Sequence, residues 1–224
     1  MPNAKPTPRP AHQGRRAVIN TEDLLTAALK LVGPHRSVST LSLREVARAA
    51  GIAPNSFYRH FRDIDELAVA LIERAGSALR LIIREARTRA SQDRSVVRSS
   101  VETFIEQLQT GDHYLPLLLR EGTVGSDAFK AAVEKQLRFF EEELCTDLVR
   151  LAELQATSIH KPELVARAIT RLVFAVGGSA MDAPPEAHEG IIEELTTMVR
   201  MIIMGTQTMA AAGSPEGDKI TPPS

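Results

Sequence analysis

The stretch that most constrains this chain is residues 42–61, SLREVARAAGIAPNSFYRHF. Ser42 and Glu45 stand at capping-box spacing, where each side chain satisfies an orphan backbone N–H at a helix start. Leu43, Val46 and Ala47 fall on one helical face, and Gly51 tolerates the positive φ that ends such a helix. Pro54 stands where a second helix would begin, the one helical position at which its missing N–H costs little. Two short helices joined by a tight Gly-containing turn predict a helix-turn-helix. At about 100° per residue, Phe57 and Phe61 share one face of the second helix, with Pro54 beside them. That face is suited to pack on the first helix. The opposite face presents Asn55, Ser56 and Arg59, with Tyr58 and His60 on its flanks.

An α-helix fits the major groove of B-DNA, where Arg bonds guanine in bidentate fashion and Asn bonds adenine. Tyr, Ser and His suit phosphate oxygens, which fix orientation without reading sequence. The candidate DNA-contacting set is Ser42, Arg44, Asn55, Ser56, Tyr58, Arg59, His60 and Arg62. An ordinary helical hairpin with a solvated polar face has the same spacing, so the pattern alone leaves both readings open. Charge favours the first. The chain of 224 residues has a net charge of −1, but residues 1–62 hold ten Lys/Arg against three Asp/Glu, and the rest holds 17 against 25. A basic head on an acidic body concentrates attraction for phosphate where the helix-turn-helix lies.

From Ser42 to Leu67 the AxxAGIAxxSFYRHFxxxDEL pattern resembles the DNA-binding motif of TetR-family transcriptional regulators. Within that family, SLREVARAAGIAPNSFYRHFRDIDEL is especially similar to the group of unsaturated-fatty-acid-synthesis repressors typified by DesT and FabR, with DesT the nearer of the two. SVVRSSVETFIEQL, LLLREG and ARAITRLVFAVGG extend the likeness over most of the chain beyond the first twenty residues. Two positions depart from the family pattern. Ala53 stands where many members have a Ser or Thr N-cap, forgoing roughly 1 kcal/mol of capping. Ile64 replaces a Lys that often meets phosphate, a contact that Arg62 is placed to take over.

In chain order, residues 1–17, with four prolines among basic residues, are expected to be a flexible basic arm, either reaching a minor groove or simply a tail. Residues 18–62 form the expected DNA-binding domain. Its first helix starts at Thr21, carries the stripe Leu24, Leu25, Ala28, Leu29 and Val32, and ends at Gly33-Pro34. Asp63 and Glu66 repeat the capping-box pattern and open a long helix over 64–90. Residues 63–211 form the expected ligand-binding and dimerisation body, with further helices over 95–110, 114–121, 126–155, 162–181 and 186–210. Residues 212–224 are expected to be a disordered tail. The fold class is therefore all-α: a three-helix head on a larger helical body.

The two final helices are expected to form a four-helix interface in a homodimer, which the family resemblance also implies. Gly177, Gly178 and Ser179 would let a partner helix approach, and Ile191, Ile192, Leu195, Met198, Val199 and Ile202 would supply the apolar face. These side chains would serve equally as core within one chain. A two-fold dimer would set paired reading heads on palindromic operator DNA.

Resemblance to the fatty-acid repressors implies a long-chain acyl-CoA as regulatory ligand, with unsaturated chains enhancing and saturated chains relieving operator binding. Its chain would lie in an apolar cavity for which Phe104, Leu108, Leu118, Phe129, Phe140 and Phe174 are candidates, together with Leu117, Phe139 and Val173. The same residues fit plain core. Arg84, Arg87 and Arg98, from a cluster that also includes Arg80, Arg89 and Arg94, are candidates for the CoA phosphates, or else a solvated face. The alternative is a repressor of an efflux or catabolic operon answering another hydrophobic small molecule.

No catalytic or metal site and no cofactor is expected. The six histidines are scattered without an HExxH pair, and no GxGxxG or GxxxxGK[ST] loop occurs. Cys145, the single cysteine, sits among glutamates that would raise its pKa, and excludes an intrachain disulfide. A helical adaptor without a DNA role is the remaining rival, and the basic head argues against it. With no apolar run long enough for a membrane span, a soluble cytoplasmic protein is expected.

Overall fold

The computed structural model describes residues 20–32, 36–90 and 95–213, and these contain helix and no strand. The head holds α1 (Thr21–Val32), a 3-10 turn over Val38–Thr40, α2 (Leu43–Ala49) and α3 (Pro54–Phe57). The body follows with α4 (Ile64–Ala90), α5 (Val96–Glu106), α6 (Tyr114–Val124) and α7 (Asp127–Leu154). A corner then leads into α8 (Pro162–Ala180), a second 3-10 turn over Pro185–Ala187, and α9 (His188–Gly213). The architecture is the all-α one that hydrophobic periodicity predicts. The expected arm over 1–17, the Gly33-Pro34 stop, the break at 91–93, Arg94 and residues 214–224 lie outside the described residues.

The predicted stripe of α1, Leu24, Leu25, Ala28, Leu29 and Val32, is wholly buried. It meets Val46 of α2 and the rings of Phe57 and Phe61 in one apolar core. Burying each such side chain stabilises the head by roughly 1.5–3 kcal/mol. α4 joins head to body. Its 27 residues, at about 1.5 Å each, run some 40 Å. Leu67, Leu71, Ile72, Ala75, Leu79 and Ile83 line its buried face. α4 packs on α1 at its start and on α5, α6 and α7 along its length. Against α7, Gly76 has no room for a side chain, since any Cβ would overlap the buried side chain of Gln136.

Four ends differ from the sequence reading by three residues or more, and α6 is one, running to Val124 rather than 121. The second helix of the head keeps α-geometry only to Phe57. His60 N–H then donates to Phe57 O at 2.9 Å and Arg59 N–H to Ser56 O at 3.3 Å, the tighter bonds of a closing turn. α5 stops at Glu106 rather than 110, because the amides of Gln107, Leu108 and Gln109 turn back to carbonyls three residues earlier. α9 continues to Gly213, so residues 212 and 213 belong to a helix and not to a tail.

Candidate functional site

The head is built by local chemistry. Glu45 N–H donates to Ser42 Oγ at 3.2 Å and Ser42 N–H donates to Glu45 Oε2 at 3.5 Å, so the capping box is complete. Gly51 takes φ +73°, and Ile52 N–H reaches back to Ala47 O at 2.9 Å to close α2 in a Schellman motif. α3 begins with Pro54 after Ala53, whose side chain caps nothing. Phe57 is fully buried with its ring 5.8 Å from that of Phe61. These anchors leave Asn55, Tyr58 and Arg59 exposed, with Ser56 and His60 half-buried.

Tyr58 keeps 61% of its surface, its ring edge-on to Phe57 at 6.1 Å. Arg44 of α2 is exposed as well, and among the described residues neither Arg44 nor Arg59 has a carboxylate within ion-pair distance. Their donors remain available to an anion.

Three predicted DNA-contacting residues carry internal duties. Ser42 Oγ is the α2 cap. His60 Nδ1 lies 3.3 Å from Thr21 Oγ1 and ties the turn to α1. Arg62 pairs with Glu66, Nε to Oε2 at 3.2 Å, while its own N–H donates to the same oxygen at 2.6 Å. The expected box at the start of α4 is thus one-sided. Asp63 accepts from Glu66 N–H at 2.8 Å, but the Glu66 carboxylate turns to Arg62 instead. Ile64 is half-buried against the core, so it gives nothing to phosphate.

Arg36 is a head residue that sequence reading missed. It grips Glu45 with two bonds, 2.7 and 3.0 Å, and donates to Thr40 Oγ1 at 2.8 Å and Thr40 O at 2.7 Å. This bidentate contact holds the Glu45 carboxyl below its ordinary range and pushes the guanidinium up. Nine residues separate the partners, and no local pattern marks the pairing.

The body encloses a cavity of about 130 Å³ between α4, α5, α7, α8 and α9. Phe104, Phe140 and Phe174 form its aromatic wall, with Phe174 at 5.3 Å from each of the other two rings. Val97, Val101, Leu144, Leu148, Val173, Val199 and Ile203 complete an aliphatic lining. Leu118 and Phe129, expected there, are fully buried core outside it, and Leu108 packs on that core without reaching the space. Leu117 is core too, and Phe139 lies outward beneath Arg80, 4.9 Å from ring centroid to guanidinium. Helical periodicity says which face is apolar, not which of five helices leaves a gap.

The expected phosphate set separates likewise. Arg87 lines the cavity, with Nε bound to Asp147 Oδ2 at 2.7 Å. Arg98 is held by Glu189 and then Glu102, both at 2.6 Å, which raises its pKa. Arg84 is exposed and lines no part of the cavity. Arg80 pairs with Glu143 at 3.3 Å and donates to Gln136 at 2.6 Å. Acidic residues already occupy all three paired arginines: Glu143 and Asp147 reach Arg80 and Arg87 from α7, Glu189 reaches Arg98 from α9, and Glu102 lies one turn along Arg98's own helix.

On α8 and α9 the expected interface residues point two ways. Ile192, Leu195 and Val199 are buried within the chain, and Ile191, Met198 and Ile202 pack against the same core. Gly177 is filled by its own chain, because a Cβ there would lie 2.7 Å from Phe104 Cε1. What stays outside is Leu164, Met201, Met204 and Met209, each more than half exposed. Arg171 of α8 is clamped to α7 by Glu134 and Glu141. Cys145 is half-buried. Burial first, then Glu163 on α8, raises its thiol pKa, so the main cause is not the glutamates of its own helix. Among the described residues no His, Cys, Asp and Glu group is arranged to hold a metal, and no helix is long and apolar enough to cross a membrane.

Residues 24–71 match the family described as bacterial regulatory proteins, tetR family. The fold is similar to a crystal structure described as that of a transcriptional regulator from Pseudomonas aeruginosa PAO1. The TM-score is 0.66 at 15% identity, over 89% of this chain and 100% of that one. E. coli NemR in its reduced form gives 0.63 at 20% identity, over 82% and 97%. The fatty acid degradation regulator FadR from Bacillus halodurans gives 0.63 at 12% identity, over 83% and 95%. A tetR-type head on a helical body with this topology is a TetR-like fold.

Proposed function

We propose that this chain, a transcriptional regulator of the TetR type, is a homodimeric repressor whose grip on a palindromic operator is set by a long-chain acyl-CoA. Its targets on this reading are genes of unsaturated fatty acid synthesis. The observation that carries it is the apolar cavity walled by Phe104, Phe140 and Phe174, with Arg87 in its lining. Such a lining suits an alkyl chain, with Arg87 and Asp147 offering a donor and an acceptor to a polar group at the chain's head. Unsaturated and saturated chains fill a fixed lining differently. Each acts only through its differential affinity for two arrangements of the helices. The sign follows the resemblance to the fatty-acid repressors: unsaturated acyl-CoA enhances operator binding and saturated acyl-CoA relieves it.

A second reading has its own support in the size of the cavity. About 130 Å³ is near the roughly 150 Å³ that holds one benzene, and below the roughly 300 Å³ at which drug-sized pockets begin. With three of the arginines already paired, a compact uncharged hydrophobe fits without rearrangement, as an efflux or catabolic regulator would require. An acyl chain needs α5, α7 and α9 to part. Operator titrations with oleoyl-CoA, palmitoyl-CoA and a small aromatic such as naphthalene separate the two. Opposite shifts by the two acyl-CoAs support the first reading; equal effects of both remove it, and release by the aromatic alone supports the second.

A further inference from the structure

Glu121 on α6 is fully buried, and its carboxylate reaches out of the body into the head. Val38 N–H donates to Oε1 at 2.9 Å, and Ser37 Oγ donates to Oε2 at 3.3 Å. Val38 opens the 3-10 turn between α1 and α2, so its amide is an orphan that the turn itself cannot satisfy. The acceptor comes from a residue 83 positions away. A carboxylate suits the task because its two oxygens serve two separate donors at once.

The bonds continue on both sides. Toward DNA, Thr40 Oγ1 donates to Ser37 O at 2.8 Å, and Arg36 bridges Thr40 to Glu45, the residue that completes the α2 capping box with Ser42. Toward the body, Leu119 lies two residues before Glu121 on the same helix. Its Cδ1 is 3.7 Å from the place a Cβ would take on Gly177, beside the Phe104 ring that walls the cavity. Gly125, just past the end of α6, keeps room for this corner, since a Cβ there would lie 3.0 Å from Glu121 Oε2 and overlap the Glu121 carbonyl.

We propose that Glu121 is the positioning residue through which α6 sets the orientation of the DNA-reading head. A shift of α6 driven from the Phe104 wall moves the Glu121 carboxylate, and with it the Val38 turn, Arg36 and the start of α2. This rests on the cavity being the ligand site. The physical warrant is a hydrogen-bonded chain with no gap between body and helix-turn-helix, held by one buried acceptor. Losing that acceptor strands a buried amide and frees the head to pivot on α4.

The test uses the full-length protein with Glu121→Gln and Glu121→Ala. Amide hydrogen exchange at Val38 is read first, without ligand or DNA. Exchange in Glu121→Ala should quicken by about tenfold or more, with Gln intermediate and the amides of Leu71 and Leu79 in α4 still protected. Operator affinity is then read with and without oleoyl-CoA, and oleoyl-CoA binding by calorimetry. The expected result is acyl-CoA binding within about twofold of wild type, with the ligand-driven change in operator affinity shrunk toward unity. Unchanged Val38 exchange, or a full ligand response in Glu121→Ala, overturns the proposal. If the wild type itself ignores oleoyl-CoA, the acyl-CoA reading fails on that arm alone. The latch then stands or falls on Val38 exchange and on whether ligand-free operator affinity moves in Glu121→Ala.

Discussion

The Tyr58 ring stays 61% exposed beside the fully buried Phe57, presenting an apolar body and a polar tip. On the proposed DNA-reading surface its phenolic O–H would meet phosphate and Arg59, one residue on, would meet a base edge. Arg59→Ala should therefore cost about 1–3 kcal/mol on the preferred operator and relax base preference at one position. Tyr58→Phe should weaken binding to every duplex by a similar factor. Competition titrations over operator variants separate the two patterns, and a uniform loss in Arg59→Ala would place that side chain on the backbone. Glu45 gives a pH prediction. Its folded pKa is lowered by Arg36, so its contribution is complete above the ordinary carboxylate pKa of 4.5 and lost as pH falls through the folded value. Urea midpoints measured through the acid range should drop more steeply in the wild type than in Glu45→Gln. Parallel curves would remove the ion pair from the head's stability. Residues whose partners are near in sequence were readable before any coordinates: the Ser42–Glu45 box, the positive φ of Gly51, and Pro54 opening α3. Arg36 and Glu121 were not, because each takes its meaning from a group that only the tertiary fold brings close.

Among elements, α4 came through with both ends as predicted, since capping at Asp63 and an unbroken 3.6-residue stripe define it locally. The helices around the cavity were also legible as helices. Their mutual spacing was not. Five elements supply the lining, and Leu118 and Phe129 differ from Phe104 and Phe174 only in which neighbour they meet. The cross-helix partners of the arginines were hidden for the same reason, since Asp147 and Glu189 face Arg87 and Arg98 from other helices, whereas Glu102 lies one turn along Arg98's own helix. Close approach yields a direct test. Gly177→Ala would put a methyl about one ångström inside van der Waals contact with Phe104. Overpacking of this kind typically costs about 1–3 kcal/mol. The thermal midpoint should fall, and the response to any cavity ligand should change with it. An unchanged midpoint together with an unchanged ligand response would mean that the Phe104 wall yields freely and does not define the cavity.

For the molecule as a whole, charge and apolar surface divide the work. Among the described residues the basic head offers Arg44 and Arg59 without carboxylate partners, while in the acidic body arginines such as Arg98 and Arg171 are paired. Met201, Met204 and Met209 lie exposed along α9, and Leu164 along α8, a surface suited to a second copy of the chain. Met204→Glu should give monomers in sedimentation and lose operator binding by an order of magnitude or more, because one head holds half the phosphate contacts of two. A Met204→Glu protein that still sediments as a dimer would move the interface elsewhere. On this reading the polar surface of α3 and of the turn that follows it meets a DNA groove. Fluorescence anisotropy with palindromic duplexes selected from a random pool, repeated from low to high salt, tests it most directly. The expected result is tight binding at low salt, a steep linear fall of log K with log salt, and loss of sequence selectivity in a protein carrying both Asn55→Ala and Arg59→Ala. Absence of binding at low ionic strength, or selectivity that survives the double substitution, would contradict it.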